Sequence, residues 1–307
     1  MCDASAAVAL SPELFAVGND EDNQLRIYRA TAGGPQVQSF DLSSTLKADP
    51  KKPETDLEGA CWLGDRIFWI SSHGRNREGE FRGSRHRFFA TTVERTTNGM
   101  RLVPVGRIYT RLLSDLLAEG RLQSFDLGSA SRLPPKTPGA LNIEGLCADK
   151  QGHHLLIGFR NPIPRGRALL LPLLNPNDVL TGKAARFGEP VLLNLGGYGI
   201  REIAFWQDRY LIVAGSHDGR GTSRLYQWSG AADEPKEIAE VDLKDFNAEA
   251  LIVYPDHRWP FQLLSDDGTL IIQGLGCKSL KDSSLKRFRS IWITLPRFDE
   301  PGRPAAP

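Results

Sequence analysis

One glutamate recurs at the same place in four segments of the chain, each time followed by an apolar stretch of about six residues. The set comprises Glu58, Glu144, Glu202 and Glu249, with Asn142 and Asn247 two residues ahead of two of them. Four carboxylates brought to one place repel one another unless some are protonated or a cation lies among them. Carboxylate and amide oxygens favour Ca²⁺ over zinc. We therefore expect these six residues to hold a divalent cation, with Ca²⁺ as the first candidate.

A second set of polar residues follows the second apolar stretch of each segment. His73 and His217 hold equivalent positions in SSHG and GSHD, and Arg160 holds the same place in GFRN. Imidazole and guanidinium groups suit general acid–base catalysis or the capture of an anion, so these three are the candidate catalytic residues. The candidate substrate-binding residues are Arg75, Arg160, Asn161, Asp266 and Asp267.

The same residues also have a structural interpretation, which the sequence leaves open. A glutamate repeated along the chain can accept hydrogen bonds from strand amides or pair with Arg160. The two histidines can close their own loops by bonding to the backbone. Two basic loops, at 75–87 and 278–289, suit an anionic substrate such as a phosphate ester, but they equally suit a solvated surface.

The positions of these residues follow an internal repeat that begins at Asp3, Asp56, Asn142, Ile200 and Asn247. Each repeat contains short apolar strands closed by turn residues, and four antiparallel strands at such a period are typical of a β-propeller blade. We predict an all-β, single-domain propeller over residues 1–307, with five blades or, as the alternative, six. The start of each innermost strand and the end of each second strand share one face in this fold. Both sets of polar residues are therefore expected at one mouth of the central channel.

Two parts of the chain depart from the repeat. Residues 110–141 form an insertion between the second and third blades, and the spacing of leucines in YTRLLSDLLAE predicts a helix over Tyr109–Glu119. The fifth repeat has no readable outer strand. We therefore expect either three strands in that blade or closure of the ring by another segment.

Composition excludes several classes of protein. Among 307 residues, 38 are Lys or Arg and 37 are Asp or Glu, so the net charge of +1 predicts neither a nucleic-acid nor a membrane partner. The four cysteines are far apart, which argues against a disulfide-stapled secreted scaffold and excludes a zinc ribbon. The first ten residues lack the features of a signal peptide. A reducing cytosol is therefore the expected location, while the oligomeric state is left open.

The stretches SSHGRN, NIEG and GFRNP, together with LEGACWLGDRIFWI and NAEAL, resemble a bacterial family catalogued as domain of unknown function family 3616. The resemblance covers about Cys2 to Leu295 and implies no activity. More remotely, the blades look like the phytase-like esterase and gluconolactonase-type propellers. That resemblance implies a divalent ion held by the carboxylates at the channel mouth, which by position are Glu58, Glu144, Glu202 and Glu249.

Two functional hypotheses follow from these observations. In the first, the protein is a divalent-metal-dependent hydrolase of a small anionic ester or lactone. The glutamates then hold the ion, His73 or His217 is the base, and Arg160 binds the anion. In the second, the propeller binds a ligand or a protein without catalysis, and the carboxylate ring is structural.

Overall fold

The computed structural model describes residues 1–97, 99–255 and 260–295, and its strands form five antiparallel blade sheets and one separate two-stranded hairpin. Four of the sheets have four strands and the fifth has three among the described residues. The innermost strands of successive sheets contact one another in order, and the first contacts the last. The molecule is thus a five-bladed β-propeller, and the alternative of six blades is wrong for the described chain.

The strands of each blade follow one another along the chain. The first blade comprises β1 Ala6–Ser11, β2 Leu14–Gly18, β3 Gln24–Arg29 and β4 Gln38–Asp41. The second comprises β5 Leu57–Leu63, β6 Arg66–Ser71, β7 Phe88–Thr96 and β8 Gly99–Tyr109. The third comprises β9 Asn142–Ala148, β10 Leu155–Asn161, β11 Ala168–Leu173 and β12 Val191–Leu193. The fourth comprises β13 Gly199–Trp206, β14 Arg209–Gly215, β15 Arg224–Trp228 and β16 Lys236–Glu237. The fifth comprises β17 Ala248–Ile252, β18 Pro260–Ser265 and β21 Ser290–Thr294, with a small hairpin of β19 Ile271–Ile272 and β20 Leu275–Gly276.

The hydrophobic core is divided among the spaces between neighbouring blades. One apolar cluster fills each of the five spaces, including that between the fifth blade and the first. Both faces of a middle strand meet such clusters, which is why β6 is a nearly continuous apolar run instead of an alternating one. This packing fixes the inner strands rigidly around the channel.

The longest helix of the described residues lies in the predicted insertion. The helices are α1 Ser43–Leu46, α2 Leu112–Ala118, α3 Leu127–Ala130 and α4 Pro176–Val179. The short 3₁₀ turns are Gly83–Arg85, Gly120–Phe125, Pro164–Gly166, Cys277–Ser279 and Ser283–Leu285. Leu112 and Leu116 of α2 are buried in the core between the second and third blades, which confirms the helix expected over Tyr109–Glu119. None of the helices in the described residues is long and apolar enough to span a membrane.

The ring is closed by the N-terminal segment and the loops of the fifth blade. Asp3 forms a β-bridge with Asp266, and Cys2 forms a disulfide with Cys277 across a sequence separation of 275 residues. The spacing of the cysteines does not predict this disulfide, because residues so far apart in sequence become neighbours only when the ring closes. The expected three-stranded fifth blade is confirmed for the described residues, whereas 296–307 of the predicted single domain lie outside them.

Candidate functional site

A cavity of about 330 Å³ opens where the inner strands of the five blades meet. We call it the channel cavity. Its acidic lining residues are Asp20, Asp56, Glu58, Glu144, Glu249 and Asp266. Its basic lining residues are Arg77, Arg85, Lys136, Arg160, Arg201 and Lys278. The uncharged lining includes Ser5, Asn142 and Asn247. The cavity is therefore densely charged yet formally balanced, which the sequence analysis did not foresee.

A β-bulge places each of three glutamates in this cavity. Strand pairing skips Glu58 in β5, Glu144 in β9 and Glu249 in β17, so each is the extra residue of its inner strand. A bulge leaves its residue unpaired and changes the direction of the side chain. Ligand oxygens of the three carboxyl groups lie within 4.8 Å of one another. The convergence predicted for these three glutamates is observed.

The glycine after two of these glutamates allows neighbouring blades to approach closely. A Cβ atom on Gly59 would lie 2.7 Å from the carbonyl oxygen of Glu144. A Cβ atom on Gly145 would lie 2.9 Å from Cγ2 of Ile200 in the fourth blade. In both Glu-Gly pairs the bulged glutamate is thus followed by a glycine at which a side chain would collide with the neighbouring blade.

The fourth blade presents an arginine in place of the expected glutamate. In β13 the pairing skips Arg201, so Arg201 is the bulged residue and lines the channel cavity. Glu202 is buried outside the cavity, where its carboxylate accepts hydrogen bonds from the backbone amides of Ile203 and Leu146. Placing Glu202 among the metal ligands was thus wrong by one residue. The sequence carries one sign of this one-residue shift. The other three glutamates follow a polar residue two positions earlier, whereas Glu202 follows the apolar Ile200.

The same slip misplaces His217. Counted from the bulge, the position equivalent to His73 is Ser216, whose carbonyl oxygen accepts a hydrogen bond from Arg160. His217 instead lines a separate surface cavity next to the insertion, together with Asn161 and Leu133. The two histidines are therefore not equivalent, and neither is among the residues that line the channel cavity.

His73 is buried in the second blade, away from the channel cavity. Its Nδ1 lies 2.7 Å from the carbonyl oxygen of Ser71, and its ring meets that of His86 edge to face. Burial and the neighbouring His86 lower the pKa of His73 to about 3, and burial lowers the pKa of His86 to about 4. Both rings are neutral and structural, so the base role expected of His73 has no support in this geometry.

Two arginines neutralise two of the three bulged glutamates. Arg160 lies 2.5 Å from Glu144, and Arg201 pairs with Glu249 while its Nε lies 3.6 Å from the other oxygen of Glu144. Arg201 owes its position to Gly215, because a Cβ atom there would lie 2.6 Å from the arginine Cδ. Arg160 is thus engaged by a carboxylate and is not available as the anion-binding group expected from the sequence.

The two asparagines proposed as metal ligands are also engaged. Asn142 donates a hydrogen bond of 2.9 Å to Glu144, which orients that carboxylate. The amide oxygen of Asn247 accepts a hydrogen bond of 2.5 Å from Arg201. Asn247 is therefore not a free oxygen ligand, whereas Asn142 is a positioning group for Glu144.

Glu58 is the carboxylate without compensation. Its side chain is 8% exposed, and among the described residues it makes neither a hydrogen bond nor an ion pair. Burial, together with the nearby charges of Asp56, Glu144 and Glu249, raises its pKa well above the usual value. In addition, oxygen Oε2 of Glu144 is buried without a hydrogen-bond partner.

Basic side chains pair with two further carboxylates of the cavity, Asp56 and Asp20, and with the adjoining Asp3. Arg85 donates a hydrogen bond of 2.8 Å to Asp56, whose pKa burial nevertheless raises to about 7. Lys278 lies 3.0 Å from Asp20 and 3.6 Å from Asp3. Burial and the contact with Asp20 raise the pKa of Asp3 to about 10. Negative charge at the mouth is therefore shared between ion pairs and bound protons.

Most of the predicted substrate-binding residues hold loops in place. Arg75 donates hydrogen bonds to the backbone of Ser131 and Gly79, and Asn161 donates to that of Pro135 and Thr137. Asp267 is buried and paired with Arg289. Asp266 alone of these lines the channel cavity besides Arg160. Lys136, which the sequence analysis missed, reaches the cavity from the proline-rich loop that Asn161 anchors.

The residues present fit a hard divalent cation at one point. Three carboxylates converge there, Glu58 has no partner among the described residues, and Oε2 of Glu144 is unsatisfied, which is the type of oxygen donor set that Ca²⁺ prefers. The triad Glu58, Glu144 and Glu249 is hence the part of the predicted ligand set that the geometry supports.

Comparison with known proteins agrees with the resemblance found in the sequence. A family model described as a protein of unknown function (DUF3616) matches residues 107–254. No curated protein matches the chain.

Among solved structures, a putative oxidoreductase (glucose dehydrogenase) from Thermus thermophilus has a TM-score of 0.42 and 11% identity, and the match covers 86% of this chain and 91% of that one. A GH43 β-1,3-galactosidase with galactodeoxynojirimycin has a TM-score of 0.49 and 11% identity, covering 99% and 93%. A Trypanosoma rangeli sialidase mutant displaying trans-sialidase activity has a TM-score of 0.43 and 9% identity, covering 93% and 45%. These similarities carry no functional inference.

Proposed function

We propose that this protein, whose residues 107–254 match the DUF3616 family, is a divalent-metal-dependent hydrolase of a small anionic ester or lactone. The observation that carries the proposal is the carboxylate triad of Glu58, Glu144 and Glu249, which lines the channel cavity with ligand oxygens within 4.8 Å of one another. Ca²⁺ is the first candidate because all the converging ligands are oxygens. A bound divalent ion supplies Lewis-acid polarisation of a carbonyl or phosphoryl oxygen.

The roles of the chain's own residues follow from their contacts. Arg160 and Asn142 both donate hydrogen bonds to Oε1 of Glu144, which orients that carboxylate and leaves Oε2 without a hydrogen-bond partner. Glu58 is unrestrained by any described hydrogen bond and can turn towards a ligand. Lys136 lines the same cavity without a described carboxylate partner, and its ammonium group would attract the anionic part of a substrate.

A hydrolase assay with matched variants tests the proposal. Purified protein would be offered phosphate monoesters, carboxylic esters and lactones, with calcium and with a chelator. We expect calcium-dependent turnover of one of these classes and at least a hundredfold loss in Glu58→Gln. Glu202→Gln is the control, since Glu202 is a buried glutamate of the same repeat outside the cavity. Turnover unaffected by the chelator, or equally reduced in both variants, would contradict the proposal.

A second function, ligand binding without catalysis, is favoured by Arg201. This guanidinium contacts both Glu144 and Glu249, and it supplies in the fourth blade a positive charge that a cation would otherwise provide. The carboxylate ring would then be structural, and the cavity would bind its ligand through Lys136 and Arg77 at the rim. Ligand-dependent stabilisation without turnover of any ester or lactone would support this alternative.

A further inference from the structure

A second cavity of about 580 Å³ adjoins the channel cavity and shares Arg77 and Arg85 with it. We call it the lysine cavity. It is lined by Glu21, Lys51, Lys52, Pro53, Glu54, Asn76, Arg77, Glu78, Arg82 and Arg85. Each cavity is large enough for a small ligand group, so the two together suit a ligand with two separated parts.

Charge distinguishes the lysine cavity from the channel cavity. Its three arginines are paired with glutamates: Arg77 with Glu78, Arg82 with Glu80, and Arg85 with Glu54. Glu21 faces the cavity too, but it lies 3.9 Å from Lys278. Lys51 and Lys52 remain, and neither has an ion pair among the described residues. The cavity therefore carries two uncompensated positive charges, whereas the channel cavity is balanced.

The backbone that carries the two lysines is fixed in place. The carbonyl oxygen of Lys52 accepts a hydrogen bond of 3.0 Å from the hydroxyl of Ser84, whose oxygen also accepts one from the amide of Asp49. The carbonyl oxygen of Pro53 accepts a bond of 2.7 Å from the side chain of Asn23. Ser84 and Asn23 are buried. These bonds fix the backbone of the loop, so both lysine side chains leave it from set positions.

We propose that the lysine cavity binds a phosphoryl group, and that the substrate is an anionic compound whose second, reacting group lies in the channel cavity. The assignment of the reacting half rests on the proposed function, whereas the phosphoryl site stands on the two lysines. Ammonium groups bind phosphate as point charges, and two of them match the double charge of a phosphate monoester. Arg85, which bonds Asp56 on one side and Glu54 on the other, separates the two compartments.

Calorimetric titration with inorganic phosphate tests the inference. The titration would be run in chelator on wild type, on Lys51→Gln/Lys52→Gln, and on the control Lys150→Gln/Lys236→Gln, whose lysines are exposed elsewhere on the propeller. We expect binding to wild type and to the control. The Lys51/Lys52 variant should bind about tenfold more weakly, from two exposed charge contacts. All four lysines are exposed, so the melting temperatures should agree and a difference in affinity reports the site itself.

Two outcomes would overturn the inference: no phosphate binding by wild type, or equal binding by both double variants. A separate calcium titration of wild type and of Lys51→Gln/Lys52→Gln keeps the two proposals apart. If calcium fails to bind either protein while the tenfold difference in phosphate affinity persists, the metal-dependent function fails and the phosphoryl site stands. If calcium binds both proteins and their phosphate affinities are equal, the phosphoryl site fails and the metal site stands.

Discussion

Replacing Glu58 by glutamine should stabilise the protein at neutral and alkaline pH in the presence of a chelator. The carboxyl group of Glu58 is buried, lacks a described partner and lies near four other acidic groups, so its pKa is raised in the folded state. Glutamine has the same shape and no charge. The substitution therefore removes the free-energy cost of a buried negative charge, and it removes no hydrogen bond of the described structure.

The sign and size of this effect follow from proton linkage. A carboxyl group with a raised folded pKa contributes stability that is fully present below the unfolded pKa and is lost as pH rises towards the folded value. Wild type should consequently lose about 1.4 kcal/mol per pH unit relative to Glu58→Gln above pH ~4.5. The advantage of the variant grows by that amount with each pH unit for as long as the pH stays below the raised pKa of Glu58.

Urea unfolding of both proteins at four pH values measures this difference. The control is Glu240→Gln, an exposed glutamate whose replacement should change the free energy of unfolding by less than about 0.5 kcal/mol at every pH. A difference between wild type and Glu58→Gln that is constant with pH, or that shrinks as pH rises, would refute the assignment of Glu58 as an uncompensated buried acid.

Three further predictions concern closure, blade contact and acid stability. A colorimetric reagent should detect two thiols in the unfolded protein without reductant and four after reduction. Cys277→Ser should lower the free energy of unfolding by about 3–5 kcal/mol. Four thiols without reductant would contradict the disulfide. Gly145→Ala should lower the free energy of unfolding by about 1–3 kcal/mol in urea, while Gly128→Ala, where a Cβ meets nothing, should not; equal effects would refute the close blade contact. Because the pKa of His86 is lowered to about 4, the stability that its neutral ring provides above pH ~6.5 is lost as pH falls, by about 2 kcal/mol at pH 5. In His86→Gln the free energy of unfolding should fall by that much less than in wild type between pH 7 and pH 5. An equal fall in both proteins would contradict the lowered pKa of His86.

The repeat made the propeller predictable because each blade must satisfy the same packing conditions. The five repeats that are predicted to begin at Asp3, Asp56, Asn142, Ile200 and Asn247 each contain one blade of the observed propeller. The helix of the insertion was likewise readable from its leucine spacing, and it is observed over Leu112–Ala118. Local pattern and tertiary packing agree in these elements, so sequence alone was sufficient.

The site was less predictable, because a bulge moves a side chain by one position without changing the apolar pattern. Glu202 and Arg201 are adjacent, and only strand pairing shows which of them faces the channel. The repeat alone overstates the negative charge of the channel mouth, because Arg201 replaces the expected glutamate and Lys278 of the basic loop 278–289 reaches the cavity. Lys51 and Lys52 lie outside the repeat, and their cavity forms only when the first and second blades meet.

The Cys2–Cys277 bridge bears on the expected location of the protein. Structural disulfides persist in oxidising compartments and are rare in a reducing cytosol. The bridge joins the start of the chain to the last blade and lies beside Asp3 and Lys278 at the channel mouth. The cytosolic location expected from cysteine spacing stays a prediction, and a bridge that forms in cells would count against it.

The central claim, that the triad of Glu58, Glu144 and Glu249 holds a divalent cation, is tested most directly by calorimetric titration of the metal-free protein with calcium. We expect one calcium ion per chain and tighter binding at pH 8 than at pH 6, because the cation must displace protons from carboxyl groups with raised pKa. Glu58→Gln/Glu249→Gln should abolish the binding, and Glu202→Gln should retain it. Wild type that takes up no calcium, or a double variant that binds as wild type does, would contradict the account.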